Sequence, residues 1–190
     1  MIRMKHFALA LVAALVAVVG LLPVAPVARA EEFTCRGTVG AITLDNIAVP
    51  DGATCTLQGT RAKGTIKVGT NATLRASGVQ VNGNVQAEGA KLVVVNSSSS
   101  VGGSIQIKQG QAATIANVRI TGDLQFDANT KQLVARSNRI GGNLQAFKNT
   151  GGLTIENNRI AQNLQCKENK PVPTGGGNTA SSKEDQCAKL

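Results

Sequence analysis

The chain has 190 residues, a formal net charge of +9, one His, four Cys, and neither Trp nor Tyr. His6, Met1 and Met4 all lie in the first six positions. A chain shortened at its N-terminus would therefore have no His for nucleophile activation or zinc ligation, and no Tyr or Trp on which bases could stack.

Arg3 and Lys5 form a positively charged start, followed by a 16-residue apolar run, Phe7 to Leu22. Pro23 and Pro26 end that run, and Ala28-Arg29-Ala30 has the small-x-small form of a cleavage site. This is the pattern of a signal peptide over residues 1–30, cleaved after Ala30. The run is short for a bilayer, which needs about 20 apolar residues, so no transmembrane segment is expected after cleavage. Removing Arg3, Lys5 and Arg29 lowers the charge from +9 by three, to +6. That balance fits anionic partners or simple solubility. The expected location is secreted, periplasmic or in the cell envelope.

Cys35, Cys55, Cys166 and Cys187 all lie beyond this segment. An even count in an exported chain reads as disulfides, and four Cys allow three pairings. Position favours Cys35–Cys55 and Cys166–Cys187, one bridge at each end. Without His or a CxxC, a metal site is not expected.

Between the two pairs runs an internal repeat. Val81-Asn82-Gly83-Asn84-Val85-Gln86 recurs as Val101-Gly102-Gly103-Ser104-Ile105-Gln106 and Ile120-Thr121-Gly122-Asp123-Leu124-Gln125. It continues as Ile140-Gly141-Gly142-Asn143-Leu144-Gln145 and Ile160-Ala161-Gln162-Asn163-Leu164-Gln165. The anchor aliphatics Ile47, Ile66, Val85, Ile105, Leu124, Leu144 and Leu164 are spaced by 19, 19, 20, 19, 20 and 20 residues. An inward residue two positions after each anchor gives the alternation of a half-buried strand. A second aliphatic pair (Leu133/Ala135, Leu153/Ile155) and a third series (Val81, Val101, Ile120, Ile140, Ile160) complete three short strands per repeat. Gly, Asn, Ser and Asp between them suit tight corners.

A unit this small buries its apolar residues only by stacking. The expected fold is all-β: a single-stranded parallel β-helix (β-solenoid) of about seven coils, each 19–20 residues, with disulfide-stapled ends. The crossover rule favours a right-handed coil. The expected organisation is an N-terminal cap over 31–46, solenoid repeats over 47–169 and a capping tail over 170–190. A stapled tail predicts a monomer.

Val49-Pro50-Asp51-Gly52-Ala53-Thr54-Cys55-Thr56-Leu57 and the C-terminal Asn158–Asn169, Pro173–Asn178 and Glu184–Cys187 resemble a group of small exported bacterial β-solenoid proteins of unestablished function. The resemblance covers residues 34–187 and implies a lineage without a mechanism. In shape alone, a short-coil solenoid is similar to bactofilins, which polymerise, and to pectin-lyase-like β-helices, which cleave acidic polysaccharides.

Stacking turns equivalent positions into surface rows. Gln86, Gln106, Gln125, Gln145 and Gln165 are expected to face outward as a polar ladder that hydrogen-bonds along the rod, or as a strip for sugar hydroxyls. Arg119, Arg139 and Arg159 form a second outward row. Their guanidinium geometry suits carboxylate or phosphate, which makes them the candidate anion-binding row. Asn84, Ser104, Asp123, Asn143 and Asn163 share one corner and should bond the next coil. Asp123 and Asp127 are the only close Asp pair in the coils, too few for calcium. Glycoside cleavage needs two facing carboxylates, and the acidic residues here fall at unmatched coil positions. The expectation is a non-catalytic structural or binding module for anionic envelope polysaccharide, with no cofactor and no nucleic-acid role. A self-assembling envelope scaffold and a carbohydrate-active lyase or hydrolase are the alternatives.

Overall fold

A computed structural model describes residues 31–190. The signal-peptide reading of residues 1–30, and its cleavage site, lie outside these residues. The described chain is a parallel β-solenoid whose strands stack into three sheets of nine, eight and seven strands, about eight turns in all. At about 4.8 Å per turn the rod is about 38 Å long. Every pairing between neighbouring turns is parallel and in register.

Alternation builds the core. On the first face the anchors Ile47, Ile66, Val85, Ile105, Leu124, Leu144 and Leu164 align as one inward column. All are buried. The second face contributes Leu57, Ala76, Val95, Ile115, Ala135 and Ile155 in the same way. The third contributes Ala62, Val81, Val101, Ile120, Ile140 and Ile160. Phe126, fully buried, aligns between Ile107 and Ala146. The small Ala146 beside it lets the coil keep its width, because a packed interior tolerates neither void nor overlap.

The register extends beyond the seven repeats read from the sequence. Residues 31–46 form strands β1 (Glu32–Thr34), β2 (Gly37–Val39) and β3 (Thr43–Leu44), each starting one sheet. They pair with Asn46–Val49, Thr54–Gln58 and Arg61–Ala62. At the other end Thr174–Gly176 and Ser182–Asp185 continue the second and first sheets. Each end segment is thus a further coil. Backbone pairing needs no repeat signature in the side chains, so the coil continues after the sequence period fades.

Both disulfides form as position favoured: Cys35–Cys55 and Cys166–Cys187, with Cα separations of 5.5 and 5.3 Å. They place the chain in an oxidising, extracytoplasmic setting. No helix among the described residues is long and apolar enough to cross a membrane.

Candidate functional site

Arg119, Arg139 and Arg159 each open a two-residue strand of the third sheet, followed by the inward Ile120, Ile140 and Ile160. The isoleucines fix the register and turn the arginines outward. Arg119 pairs with Arg139, and Arg139 with Arg159. All three are exposed. Shallow depressions run along both sides of the ridge. One is lined with Thr121, Gly141 and Ala161. The other, beside Arg119 and Arg139, is lined with Ser98, Ser99, Asn117 and Ser137.

The electrostatics of this row differ from the rest of the rod. Three cations elsewhere have counter-ions: Lys63 with Asp45 at 3.0 Å, Lys67 with Glu32 at 3.6 Å, and Arg136 with Glu156 at 2.9 Å. On the first face Glu88, Lys108 and Asp127 stack in alternating sign. Arg119, Arg139 and Arg159 have no carboxylate within 4.0 Å among the described residues. They are the only three like charges in consecutive paired positions there. Two unit charges about 4.8 Å apart in a water-like dielectric repel by about 1 kcal/mol, so a bound anion relieves the row.

The Gln row is a continuous hydrogen-bonded ladder. Gln86 donates to Gln106 at 3.4 Å, Gln106 to Gln125 at 3.0 Å, Gln125 to Gln145 at 2.9 Å, and Gln145 to Gln165 at 2.9 Å. Gln165 donates to Glu184 at 2.8 Å, and the acceptor-only carboxylate ends the series. Each amide nitrogen is thereby engaged along the rod, which reduces what the strip can offer sugar hydroxyls.

The shared corner bonds as its spacing implied. Asn84 Oδ1 accepts from Ser104 N, Ser104 Oγ from Asp123 N, Asp123 Oδ1 from Asn143 N, and Asn143 Oδ1 from Asn163 N. Asp123 is committed to this corner, while Asp127 lies beyond it on the first face. Among the described residues no three His, Cys, Asp or Glu gather as a metal site would require.

Two further ladders went unread in the sequence. Asn129, Asn149 and Asn169 form one, and Asn138, Asn158 and Asn178 the other; all six are buried. Their spacing of 20 residues was the available signal. Asn in a corner reads as a surface turn, and only stacking shows that it points inward.

No family model, curated protein or solved structure matches this chain, so neither a bactofilin-like nor a pectin-lyase-like group is identified.

Proposed function

We propose that the protein is an exported, non-catalytic binding module of the bacterial cell envelope or its surroundings. Its ligand is an anionic polysaccharide or similar polymer, laid along Arg119, Arg139 and Arg159. The observation that carries this reading is three exposed, in-register guanidinium groups without counter-ions on a rod whose other stacked charges alternate or pair. A linear polyanion fits better than a small anion, because the groups repeat along the rod axis on an exposed ridge. The shallow depressions on either side leave room for chain on both flanks. A signal peptide cleaved after Ala30 would deliver the module, and the two disulfides suit that compartment.

The test is retention of polygalacturonate against neutral dextran at low and high salt. Wild type should bind polygalacturonate only, and lose it in high salt as screening shortens the reach of exposed charges. The triple variant Arg119→Gln, Arg139→Gln, Arg159→Gln should bind about tenfold more weakly, or about 1.4 kcal/mol. Unchanged binding in the triple variant would reduce the row to a solvated face.

A further inference from the structure

The three turns that carry the arginine row carry a second row beside it. Asn117, Ser137 and Asn157 stand two residues before Arg119, Arg139 and Arg159, with the buried Val118, Asn138 and Asn158 between. Exposed, buried, exposed is the alternation that turns both outer residues away from the core. The register from Arg119 to Arg139 to Arg159 holds the two rows parallel, one member of each per turn. Asn117 and Ser137 line one depression together with Arg119 and Arg139.

Two features set this second row apart. Its backbone is left-handed, with Asn117 at φ 58° and both Ser137 and Asn157 at 54°. Gly59, Gly78 and Gly177 hold the equivalent places in other turns, at 66°, 63° and 69°. Glycine adopts this conformation freely, so the three polar side chains stand where the backbone alone favours glycine. They are also unengaged. The Gln ladder, the Asn84 corner and both buried Asn ladders bond within the rod. The side chains of Asn117, Ser137 and Asn157 hydrogen-bond to no described residue, whereas the buried Asn138 and Asn158 beside them are fully committed. Glu156, next to Asn157 in the chain, is held by Arg136 at 2.9 Å.

We propose that the two rows form one binding site for a polyuronate, a sugar polymer whose every ring carries a carboxylate and free hydroxyls. This rests on the anion-binding reading of the arginine row and adds what separates one polyanion from another. Arginine only donates, and takes the carboxylate. An Asn amide and a Ser hydroxyl both donate and accept, and so does a sugar hydroxyl, which uses both capacities of the second row. A polyphosphate, or a polycarboxylate without hydroxyls, offers acceptors alone and gains nothing from the Oδ1 and Oγ lone pairs. Both rows repeat once per turn, so a chain laid along the rod meets the same pair of groups at each step of about 4.8 Å.

The test measures binding of polygalacturonate and of hydroxyl-free polyacrylate to wild type and to two triple variants. The variant Asn117→Gly, Ser137→Gly, Asn157→Gly removes the second row and suits its left-handed backbone, as Gly59 and Gly78 do. It should melt no earlier than wild type, bind polygalacturonate about tenfold more weakly and bind polyacrylate unchanged. Unchanged polygalacturonate binding overturns the proposal, and so does an equal loss on both polymers. The variant Arg119→Gln, Arg139→Gln, Arg159→Gln separates the two readings. If it binds polygalacturonate as wild type does, or if wild type binds neither polymer, the arginine row fails and this inference with it. Binding that needs the arginines but ignores the glycine variant overturns only the second row.

Discussion

Asn158 Oδ1 accepts two hydrogen bonds from Asn138 one turn earlier, from its backbone nitrogen at 3.0 Å and its Nδ2 at 2.9 Å. Asn158 Nδ2 in turn donates to Ala135 O at 2.8 Å and to Asn178 Oδ1 at 2.9 Å. One buried side chain thus ties its own turn to the turns before and after it. Buried polar groups left without partners cost about 1–3 kcal/mol each. Asn158→Ala strands at least the two donors of Asn138 and should destabilise the rod by about 3 kcal/mol. The urea midpoint measures this, and a loss well under 1 kcal/mol would deny the ladder a stabilising role.

The residue before each buried Asn of the other ladder is left-handed: Ala128 at φ 54°, Lys148 at 56° and Glu168 at 59°. Gly89 holds the equivalent place at φ 66°. The conformation suits glycine and strains a residue with a Cβ. Ala128→Gly removes that strain but loosens the unfolded chain, so it should be neutral to stabilising by about 0.5 kcal/mol. Gly89→Ala should destabilise by about 1 kcal/mol, since its Cβ would also meet Thr70 Oγ1 at 3.1 Å. Paired thermal melts check the opposite signs.

Glu184 closes the Gln ladder. Ser182 Oγ donates to it at 2.6 Å and Gln165 Nε2 at 2.8 Å, and these two bonds hold its carboxyl below the ordinary value. With the folded value below the unfolded one, the stabilisation is full above the ordinary carboxylate range and is lost as pH falls through the depressed value. Acid should therefore loosen the last turn through Glu184. An NMR titration of its carboxyl should give a midpoint below the ordinary carboxylate range, and Glu184→Gln should abolish the acid-dependent loosening.

Reduction should loosen the ends before the middle. Each disulfide closes a loop of about 20 residues, worth about 3 kcal/mol in the chain-entropy model. In a solenoid each turn contacts only its neighbours, so the loss stays local. Hydrogen exchange with reductant should rise at Gly37–Val39 and Ser182–Asp185 and stay unchanged at Ile105–Lys108. A uniform rise along the rod would contradict this.

Much of the fold was legible because a solenoid repeats its own instructions. The spacing of Ile47 through Leu164 states the turn length, and the alternation after each anchor states which side is inward. Outward rows follow from that register, so the Gln ladder and the Asn84 to Asn163 corner could be placed from residue numbers alone. The sites of both disulfides were readable from the same positions.

The tertiary structure decided what depends on neighbours across turns. Asn129, Asn138 and their stacked equivalents sit in corners, where a polar residue looks solvated; stacking buries them and makes their hydrogen bonds obligatory. Residues 31–46 depart from the 19–20-residue spacing, yet their backbone donors and acceptors extend the sheets, as do those of 174–185. That extension changes the ends most: residues 31–46 pair as a further coil, and the tail is tied back to Cys166 by its disulfide. The sequence by itself determined the period, the inward columns and the charge of each row, because these are properties of one turn repeated. Which polar groups are buried, and which cations lack partners among the described residues, were settled only by stacking, because each is a relation between turns.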